Sequence, residues 1–182
     1  MTRELVERAM RGDREAFGAL AARCLPRIVG TAGLILGSRD AADDAAQEAL
    51  VRAWRDLPTL RDPDRFDGWL YRVLIRACHD DRRRRGRQSG SPYVYDGLPQ
   101  TVPDPAESIA LREAVSNGLA RLTADQRTVL VLRYYLDLPL EDIALSVGVP
   151  HGTVKSRLHR ALTAMEAALA AEARGPTRER TA

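Results

Sequence analysis

Cysteine and histidine are scarce in this sequence, which has two cysteines and three histidines in 182 residues. Cys24 and Cys78 lie in apolar surroundings with helical periodicity and form no Cys-x-x-Cys motif. We therefore expect two buried free thiols, rather than a disulfide or a metal site. The histidines form no metal-spaced cluster with acidic residues, and no glycine-rich phosphate loop is present. The sequence predicts no metal, no cofactor and no enzymatic activity.

Long apolar runs are also missing from the sequence. No stretch approaches the roughly 20 apolar residues that are needed to span a bilayer. The N-terminal segment 1–8 contains charged residues throughout and lacks the uninterrupted apolar core of a signal peptide. We expect a cytoplasmic protein that is not inserted in a membrane.

Aromatic residues make up only 5% of the sequence, and no run of alternating β-branched residues is present. Apolar residues recur instead at the three- and four-residue spacing of amphipathic helices. This periodicity fades where glycine and proline are concentrated. The sequence predicts an all-α protein of two small helical domains, residues 1–85 and 106–173, joined by a flexible linker (86–105) and followed by a disordered tail (174–182).

Lysine is nearly absent, since only Lys155 among the 28 basic residues is a lysine. The net charge of +3 is small, but the charges are unevenly distributed. Residues 39–64 contain four arginines and seven carboxylates, whereas residues 65–87 contain eight arginines and three carboxylates. Neighbouring acidic and basic segments of this kind favour two different binding partners.

The segment from Leu140 to Leu162 has the pattern of a helix-turn-helix. Apolar residues at helical spacing stop at Gly148, which permits a tight turn, and a second periodic run begins at Val154. The outward positions of the second helix are basic or polar, which suits base edges and phosphates. These positions are Lys155, Ser156, His159 and Arg160. An ordinary helical hairpin is the alternative that this segment alone leaves open.

An acidic-to-basic face lies on a predicted helix that begins near Asp40. Small alanines occupy the opposite side of this helix, where they allow close packing on its neighbours. Acids near the start of a helix and bases near its end also suit the helix dipole. A solvated surface therefore explains this face as well as a binding surface does. The face consists of Asp43, Asp44, Gln47, Glu48, Arg52 and Arg55.

A basic stripe lies on the next predicted helix. Its members recur at three- or four-residue steps, where like charges repel one another unless an anion is bound. Phe66 and Trp69 lie beside the stripe, and basic groups next to aromatic rings suit unstacked single-stranded bases. Plain core positions are the simpler interpretation of these two rings. The stripe consists of Arg72, Arg76, His79 and Arg83.

Together these segments resemble the extracytoplasmic-function group of bacterial RNA polymerase sigma factors, within the sigma-70 family. Residues 40–55 (DAADDAAQEALVRAWR) are similar to the region 2 helix that grips the polymerase clamp. Residues 66–76 (FDGWLYRVLIR) and the arginines after them are similar to the segment that recognises and melts the minus 10 element. Residues 150–160 (PHGTVKSRLHR) are similar to the region 4 helix that reads the minus 35 element.

The resemblance implies a protein that binds core RNA polymerase, directs it to promoter DNA through both domains and helps to open the duplex. It assigns the acidic-to-basic face to the polymerase clamp and the outward strip of the second helix to the major groove, with Thr153 and Arg157 nearer the phosphates. An anti-sigma factor is a further implied partner, which no residue identifies. The resemblance also assigns minus 10 recognition and melting to Arg65, Phe66, Trp69, Arg72, Arg76, His79 and Arg83.

Two positions depart from the pattern that the family often shows. Ala45 and Ala46 replace a Leu-Val pair, which predicts looser packing, and Arg76 replaces a frequent asparagine, which bears on minus 10 specificity. Region 3 is absent, and the linker takes its place. Twenty linker residues reach at most about 70 Å, which spans promoter elements separated by more than one and fewer than two turns of duplex.

Three other classes of function are weighed against this one. A stand-alone helix-turn-helix activator or repressor shares the second domain, but it needs neither a polymerase-binding face nor a melting stripe. An enzyme needs a nucleophile beside a base, whereas Cys78 and His79 are neighbours on a helix and point in different directions. A helical adaptor that binds only proteins would show no salt-dependent binding to DNA.

Overall fold

The structure, a computed structural model, describes residues 3–89 and 106–173, and these residues form α-helices and short 3-10 turns without a strand. The predicted all-α fold is confirmed. The predicted tail, and the predicted linker from residue 90 onward, lie outside the described residues. The helices are α1 (Arg3–Met10), α2 (Arg14–Leu36), α3 (Arg39–Asp56), α4 (Phe66–Ser89), α5 (Ala106–Arg121), α6 (Ala124–Tyr134), α7 (Leu140–Val147) and α8 (His151–Ala173), with 3-10 turns at Leu57–Thr59 and Pro63–Arg65.

Side-chain caps begin two of the helices. The Asp13 carboxylate accepts hydrogen bonds from the backbone N–H groups of Glu15 and Ala16, both at 3.0 Å, at the start of α2. Thr123 and Gln126 form a capping box at the start of α6, in which the Gln126 side chain accepts from the Thr123 N–H at 2.9 Å. These bonds satisfy backbone groups that the first turn of a helix leaves without an internal partner.

The sequence predicts no membrane-spanning segment, because it has no long uninterrupted apolar run. Helix α2 is nevertheless long and apolar enough to cross a membrane, by length and composition alone. Half of its most apolar stretch is buried inside the protein, and Arg23 and Arg27 lie within that stretch. Gly37, with φ at 70° in the left-handed region, ends the helix. A core helix of a helical protein passes the same test, so the feature is weak evidence for membrane insertion.

Close packing of α2, α3 and α4 forms the core of the first helical unit. Six alanines of α3 are buried, because a methyl group lets neighbouring helices approach closely. Leu36, Leu57 and Leu74 lie in the same core and are fully buried. Ala45 and Ala46, where the sequence predicts looser packing, are each 0% exposed, so the neighbouring helices close over them.

Both cysteines are buried free thiols, as predicted. Burial raises the pKa of the Cys78 thiol to about 12. Burial is also the main reason why the pKa of the Cys24 thiol is raised. Neither sulfur therefore carries the thiolate character that a reactive cysteine needs near neutral pH.

The second helical unit consists of α5, α6, α7 and α8. Leu119, Leu122 and Ala161 form a small buried cluster on α5, α8 and the loop between α5 and α6. Gly118 permits the close approach of α5 to α8, because a Cβ at this position would lie 2.5 Å from the Met165 sulfur. This packing supports α8 from behind and leaves its other side to solvent.

The two helical units share one apolar core across their junction. Helix α2 contacts α6, and α4 contacts α7. Val129, Leu132 and Ile143 of the second unit belong to the same buried cluster as the helices of the first. Helix α4 itself continues to Ser89, so it includes the first four residues of the range predicted as linker. Helical periodicity along the chain indicates neither feature.

Candidate nucleic-acid interface

The predicted helix-turn-helix is formed by α7 and α8, which a turn at Gly148 connects. Gly148 has a φ of 69°, a left-handed conformation that glycine adopts at low cost. Ile143 of α7 and Val154 of α8 are both 0% exposed. Their burial fixes the two helices against each other and determines which side of α8 faces outward.

The outward face of α8 is basic and polar. Lys155, Ser156, His159 and Arg160 are all exposed. The Arg160 Nε donates a hydrogen bond to the Ser156 carbonyl at 3.2 Å, which holds this side chain along the helix. The first carboxylate of α8 is Glu166, six residues beyond Arg160. The face thus presents hydrogen-bond donors without a negative charge among them.

Arg157 and Thr153 differ from these four side chains. The Arg157 Nη2 lies 2.9 Å from the Asp125 Oδ2 on α6, and only 24% of the Arg157 side chain is exposed. Thr153 is half-buried. A phosphate that binds Arg157 would therefore have to replace, or share, the ion pair with Asp125.

The basic stripe of α4 is only partly accessible to solvent. Arg76 and Arg83 are exposed, as is Arg65 just before the helix, whereas Arg72 and His79 are half-buried. Arg76, His79 and Arg83 line a cleft of about 360 Å³ whose other wall belongs to α7. The structure thus brings the stripe face to face with the helix-turn-helix.

Phe66 and Trp69 occupy different environments. Phe66 is 3% exposed, so its ring is not accessible for stacking on a base in this structure. The simpler interpretation of Phe66 as a core residue is the one observed. Trp69 is half-buried, and its ring centroid lies 6.0 Å from that of Phe66. Only Trp69 retains an accessible ring portion beside the stripe.

His79 lies at the junction of the two units and adds little positive charge to the stripe. Burial lowers the pKa of its imidazole, and the neighbouring Arg82 lowers it further, whereas Asp125 of α6 has the opposite effect. The Nε2 atom is buried and has no hydrogen-bond partner among the described residues. The imidazole is therefore neutral near pH 7.

Ion pairs connect part of the α3 face to α4. Arg52 donates to Glu48 on its own helix and to Asp80 on α4, each at 2.7 Å. The hydrogen bond to Asp80, followed by that to Glu48, raises the pKa of the Arg52 guanidinium. Arg85 of α4 donates to Asp44 at 2.9 Å. The face predicted from α3 alone is therefore a surface of two helices.

Several residues of this surface were not predicted from the sequence. Asp81 is 2% exposed and accepts a hydrogen bond from Arg85 at 2.8 Å, which fixes the position of the Arg85 side chain between α3 and α4. Val51 is 65% exposed and continues the four-residue steps from Asp43 and Gln47, a periodicity that identifies it in the sequence. A cleft of about 600 Å³ between α3 and α4 is lined by Asp44, Gln47, Glu48, Val51, Asp81, Arg84 and Arg85.

Comparison with known families gives two matches along the chain. Residues 20–88 match Sigma-70 region 2, a range that contains α3, nearly all of α4 and most of α2. Residues 112–165 match Sigma-70, region 4, a range that contains α6, α7 and the outward basic face of α8. The two interfaces described above therefore fall in two different matched regions.

Relatives and solved structures resemble the chain over most of its length. The RNA polymerase sigma-H factor of Pseudomonas aeruginosa is 33% identical over 178 residues, covering 91% of this chain and 92% of that protein. The ECF RNA polymerase sigma-E factor of Escherichia coli K12 is 30% identical over 174 residues, covering 89% and 91%.

Two solved structures show the same arrangement of helices. The sigma factor RpoE in complex with the anti-sigma factor NepR from Bartonella quintana has a TM-score of 0.72 and 26% identity, covering 85% of this chain and 96% of that one. CnrH in complex with the cytosolic domain of CnrY has a TM-score of 0.66 and 26% identity, covering 93% and 97%. The chain belongs to the extracytoplasmic-function group of sigma-70 family RNA polymerase sigma factors.

Proposed function

We propose that three surfaces of this protein divide the work of promoter-specific initiation. As an RNA polymerase sigma factor, the protein binds core RNA polymerase and directs it to promoters. Sigma factors are non-enzymatic initiation factors, and the proposed surfaces act by binding alone. The outer face of α3 docks the polymerase, the outward face of α8 reads the minus 35 element, and α4 binds the unpaired minus 10 strand. The observation that carries the proposal is the exposed, carboxylate-free face of α8.

The face of α8 suits the major groove of duplex DNA. Arginine and lysine side chains donate to the O6 and N7 acceptors of guanine, and hydroxyl and imidazole groups complement other base edges. Lys155 and Arg160 provide the charged donors, and Ser156 and His159 provide the others. Thr153 and Arg157 contact neighbouring phosphates, and Arg157 exchanges its Asp125 partner for a phosphate when DNA binds.

The outer face of α3 suits a protein partner. Asp43, Gln47, Val51 and Arg55 are exposed and follow one another at four-residue steps along the helix. Opposite charges across an interface select the partner and speed the encounter, and the exposed Val51 adds apolar contact area. Asp44, Glu48 and Arg52 contribute charge to the same face. The ion pairs of Asp44 with Arg85 and of Arg52 with Asp80 hold α3 against α4, and Glu48 pairs with Arg52 within α3.

The α4 stripe suits the unpaired minus 10 strand. Arg65, Arg72, Arg76 and Arg83 provide positive charge for the strand backbone. The neutral His79 and the accessible part of Trp69 provide flat rings beside these charges, and Phe66 supports Trp69 from the core. Because this surface binds unpaired bases better than paired ones, its binding energy shifts the duplex toward the open form.

A double variant tests the melting role. Replacing Arg72 and Arg76 with alanine should reduce strand opening by roughly tenfold and leave closed-complex binding nearly unchanged, because α8 and α3 remain intact. Permanganate reactivity of unpaired thymines measures opening, and a gel-shift assay at low temperature measures the closed complex. The matched control replaces Arg11 and Arg14, two exposed arginines near the start of α2. Equal losses in both assays would reject the melting role.

We also propose an anti-sigma partner and a cytoplasmic location. RpoE of Bartonella quintana is seen in complex with the anti-sigma factor NepR, and this chain shares the arrangement of its helices. Core RNA polymerase is a cytoplasmic enzyme, so the protein acts there. A stand-alone helix-turn-helix regulator is not favoured, since it has no use for the region 2 match over residues 20–88.

A further inference from the structure

Four consecutive arginines, residues 82–85, lie in the last part of α4. Successive residues of an α-helix point about 100° apart, so the four side chains cannot share one side of the helix. Arg83 follows Arg76 and His79 at steps of three and four residues, on the stripe proposed above for the unpaired minus 10 strand. The last two arginines of the run instead line the cleft of about 600 Å³ between α3 and α4. The run is therefore divided between two surfaces.

The buried carboxylate of Asp81 holds Arg84 and Arg85 on the side of α4 that faces α3. Asp81 lies one helical turn before them and is 2% exposed. The Arg85 Nε donates to Asp81 at 2.8 Å, and the Arg85 Nη2 donates to Asp44 of α3 at 2.9 Å. The Arg84 Nη2 donates to Asp81 at 3.4 Å, a length at which a hydrogen bond is weak. Arg85 thus connects α4 to α3, whereas Arg84 is held loosely.

Arg84 is the more accessible of these two cations. Its side chain is 53% exposed, whereas that of Arg85 is 35% exposed. Asp81 is the one ion-pair partner of Arg84 among the described residues. Because a guanidinium group has five N–H donors, most donors of Arg84 remain available to another molecule.

The surroundings of Arg84 do not suit a DNA backbone. Three carboxylates line the same cleft, those of Asp44, Glu48 and Asp81, and they outnumber the two arginines that line it. The Asp44 side chain is 62% exposed, so it meets any molecule that enters the cleft. Each phosphate of DNA is negatively charged and would be repelled there. A protein surface that carries charges of both signs is the better match for this cleft.

The cleft is continuous with the outer face of α3, which is proposed above to dock core RNA polymerase. Gln47 and Val51 belong to both surfaces. Val51 is 65% exposed, and burying its apolar side chain would stabilise an interface. A partner that covers Val51 also extends over the cleft and shields Arg84 from water. Because burying an unpaired charge is costly, such a partner has to offer Arg84 a carboxylate.

We propose that Arg84 is a contact for core RNA polymerase and not for promoter DNA. Its guanidinium binds an acidic side chain of the polymerase, and Val51 provides apolar contact beside it. The inference rests on the docking function proposed above for α3. It divides neighbouring arginines between two partners, since Arg83 faces the minus 10 strand and Arg84 faces the polymerase.

The variants Arg84→Gln and Arg83→Gln test this division, because they remove the same charge from adjacent exposed positions. Biolayer interferometry with immobilised core polymerase measures capture at low and at high salt. Fluorescence anisotropy measures binding of an unpaired minus 10 strand by polymerase that has been saturated with each variant. The control Arg14→Gln removes one positive charge from an exposed position at the start of α2. Circular dichroism checks that all variants keep their helices.

We expect Arg84→Gln to weaken capture about tenfold at low salt, because it removes an ion pair from the interface. The loss should shrink at high salt, where screening already weakens the ion pair of the wild type. Polymerase saturated with Arg84→Gln should bind the strand as the wild type does. Arg83→Gln should show the opposite pattern, with normal capture and strand binding that is about three- to fivefold weaker. Arg14→Gln should match the wild type in both assays.

Two results would overturn the polymerase contact. One is capture by Arg84→Gln that equals capture by Arg14→Gln, and the other is strand binding that Arg84→Gln weakens as much as Arg83→Gln does. Failure of the docking function proposed for α3 looks different, because Asp43→Lys on the outer face of α3 would then also leave capture unchanged. If Asp43→Lys weakens capture and Arg84→Gln does not, the α3 face docks the polymerase and the Arg84 contact is rejected.

Discussion

Replacing Arg160 with alanine is expected to remove about 1–3 kcal/mol of discrimination at one base pair of the minus 35 element, which is roughly 5- to 150-fold in relative affinity. Arg160 is exposed on the outward face of α8, and its Nε bond to the Ser156 carbonyl orients the side chain along the helix. A guanidinium in the groove donates two hydrogen bonds to one guanine, and alanine leaves those acceptors without a protein partner.

The measurement is a ratio of affinities. Polymerase carrying either the wild-type protein or Arg160→Ala is titrated with promoter DNA and with DNA altered one base pair at a time in the minus 35 element. The control is Arg121→Ala, which removes an equal charge from an exposed position at the end of α5. A base-reading Arg160 loses discrimination at one position, whereas a mere phosphate contact weakens binding to all sequences alike. An unchanged ratio would count against base reading.

Reversing the acidic part of the α3 face is expected to weaken capture of core polymerase at least about 30-fold, or about 2 kcal/mol, because like charges then meet across the interface. The variant combines Asp43→Lys, Asp44→Lys and Glu48→Lys. Asp43 has no ion pair among the described residues, whereas Asp44 and Glu48 also bind Arg85 and Arg52. Asp43→Lys alone therefore tests docking without disturbing the ion pairs between α3 and α4.

The control for this variant changes the net charge by the same amount elsewhere. Glu4, Glu15 and Glu113 are exposed on other helices, and their joint replacement by lysine should leave capture unchanged. Biolayer interferometry with immobilised core polymerase gives both rate constants, and circular dichroism verifies helicity. If the α3 variant binds as tightly as the control variant, the face is only a solvated helix surface.

Helix boundaries and helix faces could be predicted from the sequence, because they depend on residues that are close together in the chain. Helix starts at Asp13 and Thr123 follow from caps within three residues, and the turn at Gly148 follows from a glycine that ends an apolar period. The outward face of α8 follows from the same periodicity, since burial of Val154 leaves Lys155 exposed. Helical hydrogen bonds and apolar spacing involve residues about four positions apart in the chain, so both can be predicted from one sequence.

Contacts between distant segments could not be predicted in this way. The ion pair of Arg52 with Asp80 joins residues 28 positions apart, and it depends on the register of α3 against α4. Phe66 lies at a helix start, where periodicity does not distinguish a core ring from a stacking ring, and only the packing shows it buried. The approach of Tyr135 to Gly30 likewise depends on how two helical units meet.

The end of α4 shows how tertiary context changes a boundary. The predicted linker begins at Gly86, because glycine appears and apolar periodicity stops there. The helix nevertheless continues to Ser89. A glycine inside a helix costs only about 1 kcal/mol, and arginine and glutamine, which follow it, are good helix formers. A helix that is already nucleated and packed on α3 therefore extends past this residue.

Run-off transcription with purified core polymerase on promoter-containing genomic fragments tests the central claim most directly. With the wild-type protein we expect transcripts from defined start sites that core polymerase alone does not produce, and we expect them to disappear with the Asp43, Asp44 and Glu48 reversal variant. Transcripts that are the same with and without the protein, together with its failure to co-elute with core polymerase, would contradict the assignment of this chain as a working sigma factor.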